Sequence, residues 1–227
     1  MKHLYGISAL GCVFILVISL VFIGMFSQGG GSLLHNADAT ELNIDPSTFT
    51  DNTNFSTVVP TNFATLFKDA GSKTKVPASL IAAIYLTEHH TDTFGKDIPS
   101  LNARDDDCET SFAGAVGPMQ ITNSTWSSPA RALESQFGIT APDRCRYYDA
   151  FLAAGLVIKG KTTWHPAIKK ACTFDASGNV ADWNDDDCIE AIGMSYCGAC
   201  TGKACGTNGF NYCEQTLRHY KMAQIST

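Results

Sequence analysis

The sequence predicts a mainly α-helical domain that is held together by disulfide bonds and preceded by one N-terminal transmembrane helix. Three observations predict this: an uncharged apolar run at the N-terminus, apolar residues that recur at helical spacing after it, and an even number of cysteines in the rest of the chain. Alternating runs rich in Val, Ile and Thr are scarce, so little or no sheet is expected. With 227 residues, 44% of them hydrophobic, the chain has room for one well-packed domain plus appendages.

The segment from Leu4 to Phe26 contains no charged residue. About 20 apolar residues are enough to cross a bilayer as a helix. Lys2 precedes the run, whereas the next Lys or Arg after it is Lys68. The positive-inside rule therefore places the N-terminus in the cytoplasm and the rest of the chain outside. We therefore assign residues 1–28 to a single-pass anchor in the cytoplasmic membrane. A cleaved signal peptide is the alternative, although its apolar core is usually shorter.

The next segment, residues 29–57, is rich in Gly, Ser, Thr, Asn and Asp and shows no sustained periodicity. This composition predicts a flexible linker, and the folded domain is assigned to residues 58–222. The formal net charge of -6 argues against nucleic acid as a partner, because a nucleic-acid-binding face must be basic.

Helical spacing of apolar residues predicts seven helices in this domain. The first runs from Phe63 to Ala70, and Gly71 is expected to end it. In the second, Pro77 suits the first turn. The apolar stripe of the second helix is formed by Leu80, Ile81, Ile84 and Tyr85. The other five predicted helices are Ala130–Phe137, Arg146–Ile158 and shorter ones near 164–171, 187–196 and 209–222.

One of the nine cysteines, Cys12, lies in the anchor, and the other eight lie in the domain. An even number of cysteines in an exported domain predicts up to four disulfides, although the spacing leaves their pairing open. The last four have the spacing C-x2-C-x4-C-x7-C, which would also suit a zinc ion. An oxidising compartment favours disulfides. The eight are Cys108, Cys145, Cys172, Cys188, Cys197, Cys200, Cys205 and Cys213.

Glu88 follows the apolar stripe of the second helix, on the same helix face as Ile81 and Ile84. A carboxyl group in that position is partly withdrawn from water, which raises its pKa. A carboxylic acid that stays protonated near neutral pH can donate a proton to a glycosidic oxygen. The simpler interpretation is a surface glutamate at the helix end, or one that satisfies a buried partner.

The segment SFAGAVGPMQI, residues 111–121, resembles the S-x-x-G-A-x-G-x-M-Q-[IF] motif of the lysozyme-like lytic transglycosylases of the soluble (SLT) type. That superfamily includes enzymes attached to secretion systems. Pro118 and Trp126 are also similar to the GPxQF and STW motifs of the related membrane-bound B-type enzymes. Six constrained positions are met downstream of the glutamate-bearing helix: Ser111, Gly114, Ala115, Gly117, Met119 and Gln120.

A second segment, IEAIGMSYCG at residues 189–198, resembles the A-x-x-x-Y-N-x-G segment of the same superfamily. Tyr196 stands at the tyrosine, whereas Cys197 replaces the asparagine. Tyr212 is similar to a tyrosine that often follows in the superfamily. A further departure lies at the acid, because Glu88 is followed by His89 where the superfamily commonly has Ser or Thr.

The resemblance implies a lysozyme-like (goose-type, SLT) fold and the activity of a peptidoglycan lytic transglycosylase, a glycan-strand lyase. It implies that Glu88 protonates the oxygen between N-acetylmuramic acid and N-acetylglucosamine and then deprotonates the muramyl 6-hydroxyl, which closes a 1,6-anhydro ring. It also implies that Gln120 holds the substrate through its amide and that Met119 lines the sugar-binding groove. Ser111 and Tyr196 would position the substrate or the acid. No cofactor or metal is expected.

Two other functions stay open. A non-catalytic lysozyme-like domain would bind glycan or scaffold an envelope complex, and the substitution at His89 favours it. A muramidase would cleave the same bond with water and needs a second carboxylate. The candidates for that carboxylate are Asp92, Asp97, Asp105, Asp106, Asp107 and Glu109.

The expected partners follow from the anchor and from the resemblance. They are the glycan strands of peptidoglycan, the cytoplasmic membrane through the N-terminal helix, and a secretion, conjugation or pilus complex. The catalytic domain is expected on the periplasmic, extracytoplasmic side of the cell membrane, where tethering would confine its activity.

Overall fold

The computed structural model describes residues 42, 44–51, 53–55, 58–202, 205 and 209–224. The predicted anchor lies outside the described residues, as does the first part of the predicted linker. Within the described part of the chain, no helix is long and apolar enough to span a membrane.

Helices dominate the described residues, which confirms the predicted mainly α-helical class. A short 3-10 helix, Pro46–Thr48, precedes them, and one antiparallel pair of two-residue strands, β1 (Ala115–Val116) and β2 (Ile121–Thr122), is the only sheet in the part described. The helices are α1 (Thr61–Thr74), α2 (Ala78–Glu88), α3 (Asn123–Phe137), α4 (Tyr147–Trp164), α5 (Pro166–Ala171), α6 (Asp186–Cys197) and α7 (Tyr212–Ala223).

Helix α2 is the centre of the domain, because every residue from Ala78 to Thr87 is buried. It packs against α1, α4 and α7. The predicted apolar stripe is therefore one side of a helix that is enclosed all round, as expected for a helix without a polar face. Between α1, α2 and α4 lies an aromatic cluster in which neighbouring ring centroids are 4.4 to 6.2 Å apart. The cluster consists of Phe63, Phe67, Tyr85, Phe94 and Phe151.

The prediction that Gly71 ends the first helix is wrong. Helix α1 continues to Thr74, and Lys75 then adopts a left-handed conformation with φ of 64°. A Cβ atom at position 71 would lie 2.4 Å from Oδ2 of Asp51 and 2.9 Å from the carbonyl oxygen of Val76. This glycine therefore allows close packing of the segment before α1, and it does not mark a helix end.

Two further helices are longer than predicted. Helix α3 begins at Asn123, because the Thr122 hydroxyl accepts a hydrogen bond from the backbone N–H of Thr125 and so caps the helix. Helix α4 continues to Trp164. It stops there because Pro166 disfavours helical geometry in the residue that precedes it.

All eight cysteines of the domain form disulfides. The zinc alternative for the last four is wrong, because their sulfur atoms are consumed in two disulfides and are not available as ligands. These two disulfides close the loop between α6 and α7. The four pairs are Cys108–Cys145, Cys172–Cys188, Cys197–Cys205 and Cys200–Cys213.

Candidate active site

Strands β1 and β2 form a hairpin whose turn spans residues 117–120. The backbone N–H of Gln120 donates to the carbonyl oxygen of Gly117 over 2.9 Å and closes the turn. Gly117 has φ of +74°, and a Cβ atom there would lie 2.2 Å from the carbonyl oxygen of Arg144. Only glycine fits this position, so the motif glycine allows the turn to lie directly against the backbone at residue 144.

The side chains of Gln120 and Ser111 stabilise the hairpin from within. Nε2 of Gln120 donates to the carbonyl oxygen of Gly117 at 2.9 Å. Oγ of Ser111 accepts a hydrogen bond from the backbone N–H of Ala115 at 3.1 Å. The Gln120 amide was expected to hold the substrate, and the Ser111 hydroxyl to position the substrate or the acid. In the structure both groups stabilise the hairpin.

Two further side chains attach this turn to neighbouring helices. Nε2 of His89 donates to the carbonyl oxygen of Pro118 at 3.1 Å. The hydroxyl of Tyr196 donates to the carbonyl oxygen of Met119 at 2.9 Å. The three successive carbonyls of residues 117–119 thus all accept hydrogen bonds, which fixes the turn to the end of α2 and to α6. His89 joins the turn to the helix that carries the candidate acid.

Glu88 is the last residue of α2 and directly precedes His89, so its backbone lies next to the point where the turn is attached. The residue is half-buried, and burial raises the pKa of its carboxyl group to about 7. The hydroxyl of Tyr212 donates to Oε1 of Glu88 at 2.6 Å and opposes part of that rise. Near neutral pH, a large share of the molecules therefore carries a protonated carboxylic acid here.

The pKa of Glu88 is set by burial and by one hydrogen bond, and no other carboxylate of the described residues contributes to its shift. Among the candidates for a second carboxylate, Asp97 accepts hydrogen bonds from the first turn of α1. Asp92 is paired with Arg218. Glu109 is exposed. The remaining three, Asp105, Asp106 and Asp107, line a cavity beside the aromatic cluster.

Two tyrosines lie within electrostatic reach of this carboxyl group. Burial, together with the negative charge of Glu88, raises the pKa of Tyr196 and of Tyr212 well above the ordinary value. Both hydroxyls therefore remain protonated donors. Each tyrosine directly precedes a disulfide-bonded cysteine, Cys197 at the end of α6 or Cys213 at the start of α7, so the two disulfides hold the backbone next to both tyrosines.

A chain of polar groups behind the carboxyl group was not predicted. Oγ1 of Thr87 lies 2.9 Å from Nδ1 of His219, and Nε2 of His219 lies 3.0 Å from Oδ1 of Asp92. These contacts hold the last turn of α2 against α7. His219 follows Tyr212 by seven residues, so both lie on one face of α7. This spacing is the sequence signal that could have placed His219 near the site.

The structure gathers Glu88, Gln120 and Tyr196 around one turn, and Ser111 is joined to it through the hairpin. The side chain of Met119 is 0% exposed, so it packs beneath the turn and does not line an open groove. No protein-family model, curated protein or solved structure matches the sequence.

Proposed function

We propose that this protein is a peptidoglycan lytic transglycosylase that cleaves the β-1,4 bond between N-acetylmuramic acid and N-acetylglucosamine, with Glu88 as its single acid and base. The observation that carries the proposal is a half-buried carboxyl group with a pKa of about 7, attached through His89 to a rigid turn. At the ordinary pKa of 4.5, a glutamate would be almost wholly ionised at neutral pH and would have no proton to donate.

In the proposed cycle, the protonated carboxyl group of Glu88 donates its proton to the glycosidic oxygen while the bond from that oxygen to C1 of the muramyl residue breaks. The resulting carboxylate removes the proton of the muramyl 6-hydroxyl, whose oxygen bonds to C1 and closes the 1,6-anhydro ring. Glu88 ends the cycle protonated, so no water is consumed. A pKa near 7 suits both steps, because the same group must act first as an acid and then as a base.

Tyr212 supports this exchange of roles. A hydrogen bond from a hydroxyl to a carboxylate is stronger than one to a neutral acid. The 2.6 Å contact from Tyr212 to Glu88 therefore stabilises the ionised form between the two steps. Tyr196 acts on the other side of the site, where it fixes the turn through the carbonyl oxygen of Met119.

A lysozyme-like fold of the goose type is part of this proposal. It is supported by the order of the parts: a central buried helix that ends in the acid, a hairpin turn with the sequence Gly-Pro-Met-Gln, and later helices that bring two tyrosines to them. The anchor at residues 1–28 and a secretion, conjugation or pilus complex as partner belong to the proposal as well. Both are supported by the apolar N-terminal run, which would keep the activity at one place on the membrane.

Analysis of the products tests the proposal. Wild type and Glu88→Gln are incubated with purified peptidoglycan, and the released fragments are weighed by mass spectrometry. We expect anhydromuramic ends, lighter by one water than reducing ends, from wild type and none from Glu88→Gln. Glu134→Gln, which changes an exposed glutamate on α3, is the matched control and should digest like wild type.

Each other outcome points to a different function. Reducing ends from the wild type would indicate a muramidase that uses water. Equal digestion by wild type and Glu88→Gln would remove Glu88 from the chemistry. No release by wild type, combined with binding to peptidoglycan, would indicate a glycan-binding or scaffolding domain.

A further inference from the structure

A polar cavity lies beside the N-terminal end of α2, at the opposite end of this helix from Glu88. Its volume is about 380 Å³. Because α2 has 11 residues and each adds about 1.5 Å, the two ends lie about 15 Å apart along the helix axis. The cavity lining includes Thr50, Lys75, Ser79, Trp183, Tyr220 and Gln224.

The charges around this cavity favour a neutral ligand. Its lining includes one carboxylate, Asp51, and one ammonium group, Lys75. The carboxylate already accepts the backbone N–H of Ala78 at 2.7 Å and that of Thr53 at 2.7 Å. The first turn of α2 is therefore capped by the protein itself and does not present its positive end to an anion.

The remaining polar groups of the cavity are already ordered by contacts with one another. Nε2 of Gln224 donates to Oγ of Ser79 at 3.3 Å, and Tyr220 lines the cavity together with these two side chains. Nζ of Lys75 donates to Oγ1 of Thr50 at 3.1 Å. Hydroxyl and amide groups both donate and accept hydrogen bonds, so such a row matches the hydroxyl groups of a sugar.

Trp183 supplies the apolar part of this cavity. It is half-buried and lines the wall. One face of a pyranose ring presents mainly C–H groups, which pack on an aromatic ring, while the hydroxyl groups at its edge bind polar side chains. A large aromatic ring beside convergent polar groups is a recurrent composition for a small-molecule site.

We infer that the cavity formed by Trp183, Tyr220, Ser79, Gln224, Lys75 and Thr50 binds a neutral sugar of the N-acetylglucosamine type. The sugar class is argued from the lining alone, whereas its identification with the glycan of the cell wall rests on the proposed function. A sugar bound here lies too far from Glu88 to be cleaved. The site holds the enzyme on its polymeric substrate and raises the local concentration of glycan at the acid.

The tryptophans allow a direct test by NMR. The chain has three of them, so three indole N–H signals are expected from the full-length protein. Adding a β-1,4-linked tetramer of N-acetylglucosamine to Glu88→Gln should shift the Trp183 signal, which is identified by its loss in Trp183→Phe. Trp164, which is 64% exposed at the end of α4, is the internal control and should not shift.

A second variant tests the polar row. Gln224→Ala removes a group that would contact the sugar, so we expect the dissociation constant measured at the Trp183 signal to rise about tenfold. Circular dichroism checks that the variant keeps its helical content. An unchanged dissociation constant in the folded variant would refute the assignment of the cavity.

The possible outcomes separate this inference from the proposed function. A Trp183 signal that stays in place at millimolar sugar, or one that shifts no more than that of Trp164, overturns the sugar site. A shift of the Trp183 signal together with no wall digestion by the wild type supports the site and refutes the transglycosylase. Wall digestion by the wild type without a shift of the Trp183 signal supports the transglycosylase and refutes the sugar site.

Discussion

The raised pKa of Glu88 predicts an effect on stability as well as on activity. Burial moves the pKa from its ordinary value of 4.5 to about 7. Between these two pH values the unfolded chain loses the proton while the folded chain keeps it, so the free energy of unfolding falls as the pH rises. Glu88→Gln should remove this loss, because the amide is neutral at every pH and still offers an oxygen to the hydroxyl of Tyr212.

The size of the effect follows from the shift. A difference between 4.5 and about 7 corresponds to about 3.5 kcal/mol, at about 1.4 kcal/mol for each pKa unit. Because the residue is only half-buried, solvent screening reduces this value, and we expect Glu88→Gln to gain about 2 kcal/mol at about pH 8 and almost nothing at about pH 4. For a domain of this size, that gain raises the Tm by roughly 4–8 °C.

Thermal unfolding followed by circular dichroism across this pH range measures the gain. Glu134→Gln, at an exposed position, is the control and should stay within about 0.5 kcal/mol of wild type. The reasoning is refuted if Glu88→Gln is less stable than wild type at about pH 8, or if its gain does not grow with pH. Activity and stability should therefore move in opposite directions in this variant, as expected for a buried acid kept for its chemistry.

Three further predictions concern the two tyrosines near the acid and the disulfides. Tyr212→Phe removes the hydrogen bond that lowers the pKa of Glu88, so this pKa should rise. The alkaline limb of the pH–rate profile of digestion should then move to higher pH. A limb that stays in place would contradict the role of this contact. Tyr196→Phe removes a hydrogen bond to the turn and should lower the free energy of unfolding, measured in urea, by about 1 kcal/mol. Its kcat should fall by a larger factor than its KM rises. A change in KM alone would show that Tyr196 acts only in substrate binding. Replacing both cysteines of the Cys108–Cys145 pair by alanine should destabilise the fold more than the same change in Cys197–Cys205, because the sequence separations are 37 and 8 residues. Loop entropy predicts a loss in the free energy of unfolding of about 4 kcal/mol for the first pair and about 2.5 kcal/mol for the second. Calorimetry that ranks the two losses the other way would contradict this account.

The helices were predictable because apolar periodicity is a local property. The predicted helix ending at Phe137 does end there, before Gly138, since glycine after an apolar stripe is a local stop signal. Gly71 also follows an apolar stripe and gives the same local stop signal, but helix α1 continues past it to Thr74. There the missing side chain makes room for Asp51, which is twenty positions away in the sequence, and periodicity contains no information about that contact.

Only those features of the candidate site that depend on neighbouring residues in the sequence were predictable. The position of Glu88 on its helix and the Gly-Pro-Met-Gln turn are visible in the residue order. In the sequence, the substitution at His89 favours a non-catalytic domain, whereas in the structure its imidazole donates a hydrogen bond to the carbonyl oxygen of Pro118. The contact between Thr87 and His219 joins residues 132 positions apart, so it depends on how α7 packs against α2.

The residue order alone determined that the domain is helical, that an acid stands at the end of an apolar helix, and that an even set of cysteines is available for disulfides. The tertiary structure decided which cysteines pair, which tyrosine donates to Glu88, and that burial raises the pKa of this carboxyl group to about 7. The physical reason is that solvation and electrostatics act through space, so the neighbours that remove water from a side chain come from distant parts of the chain.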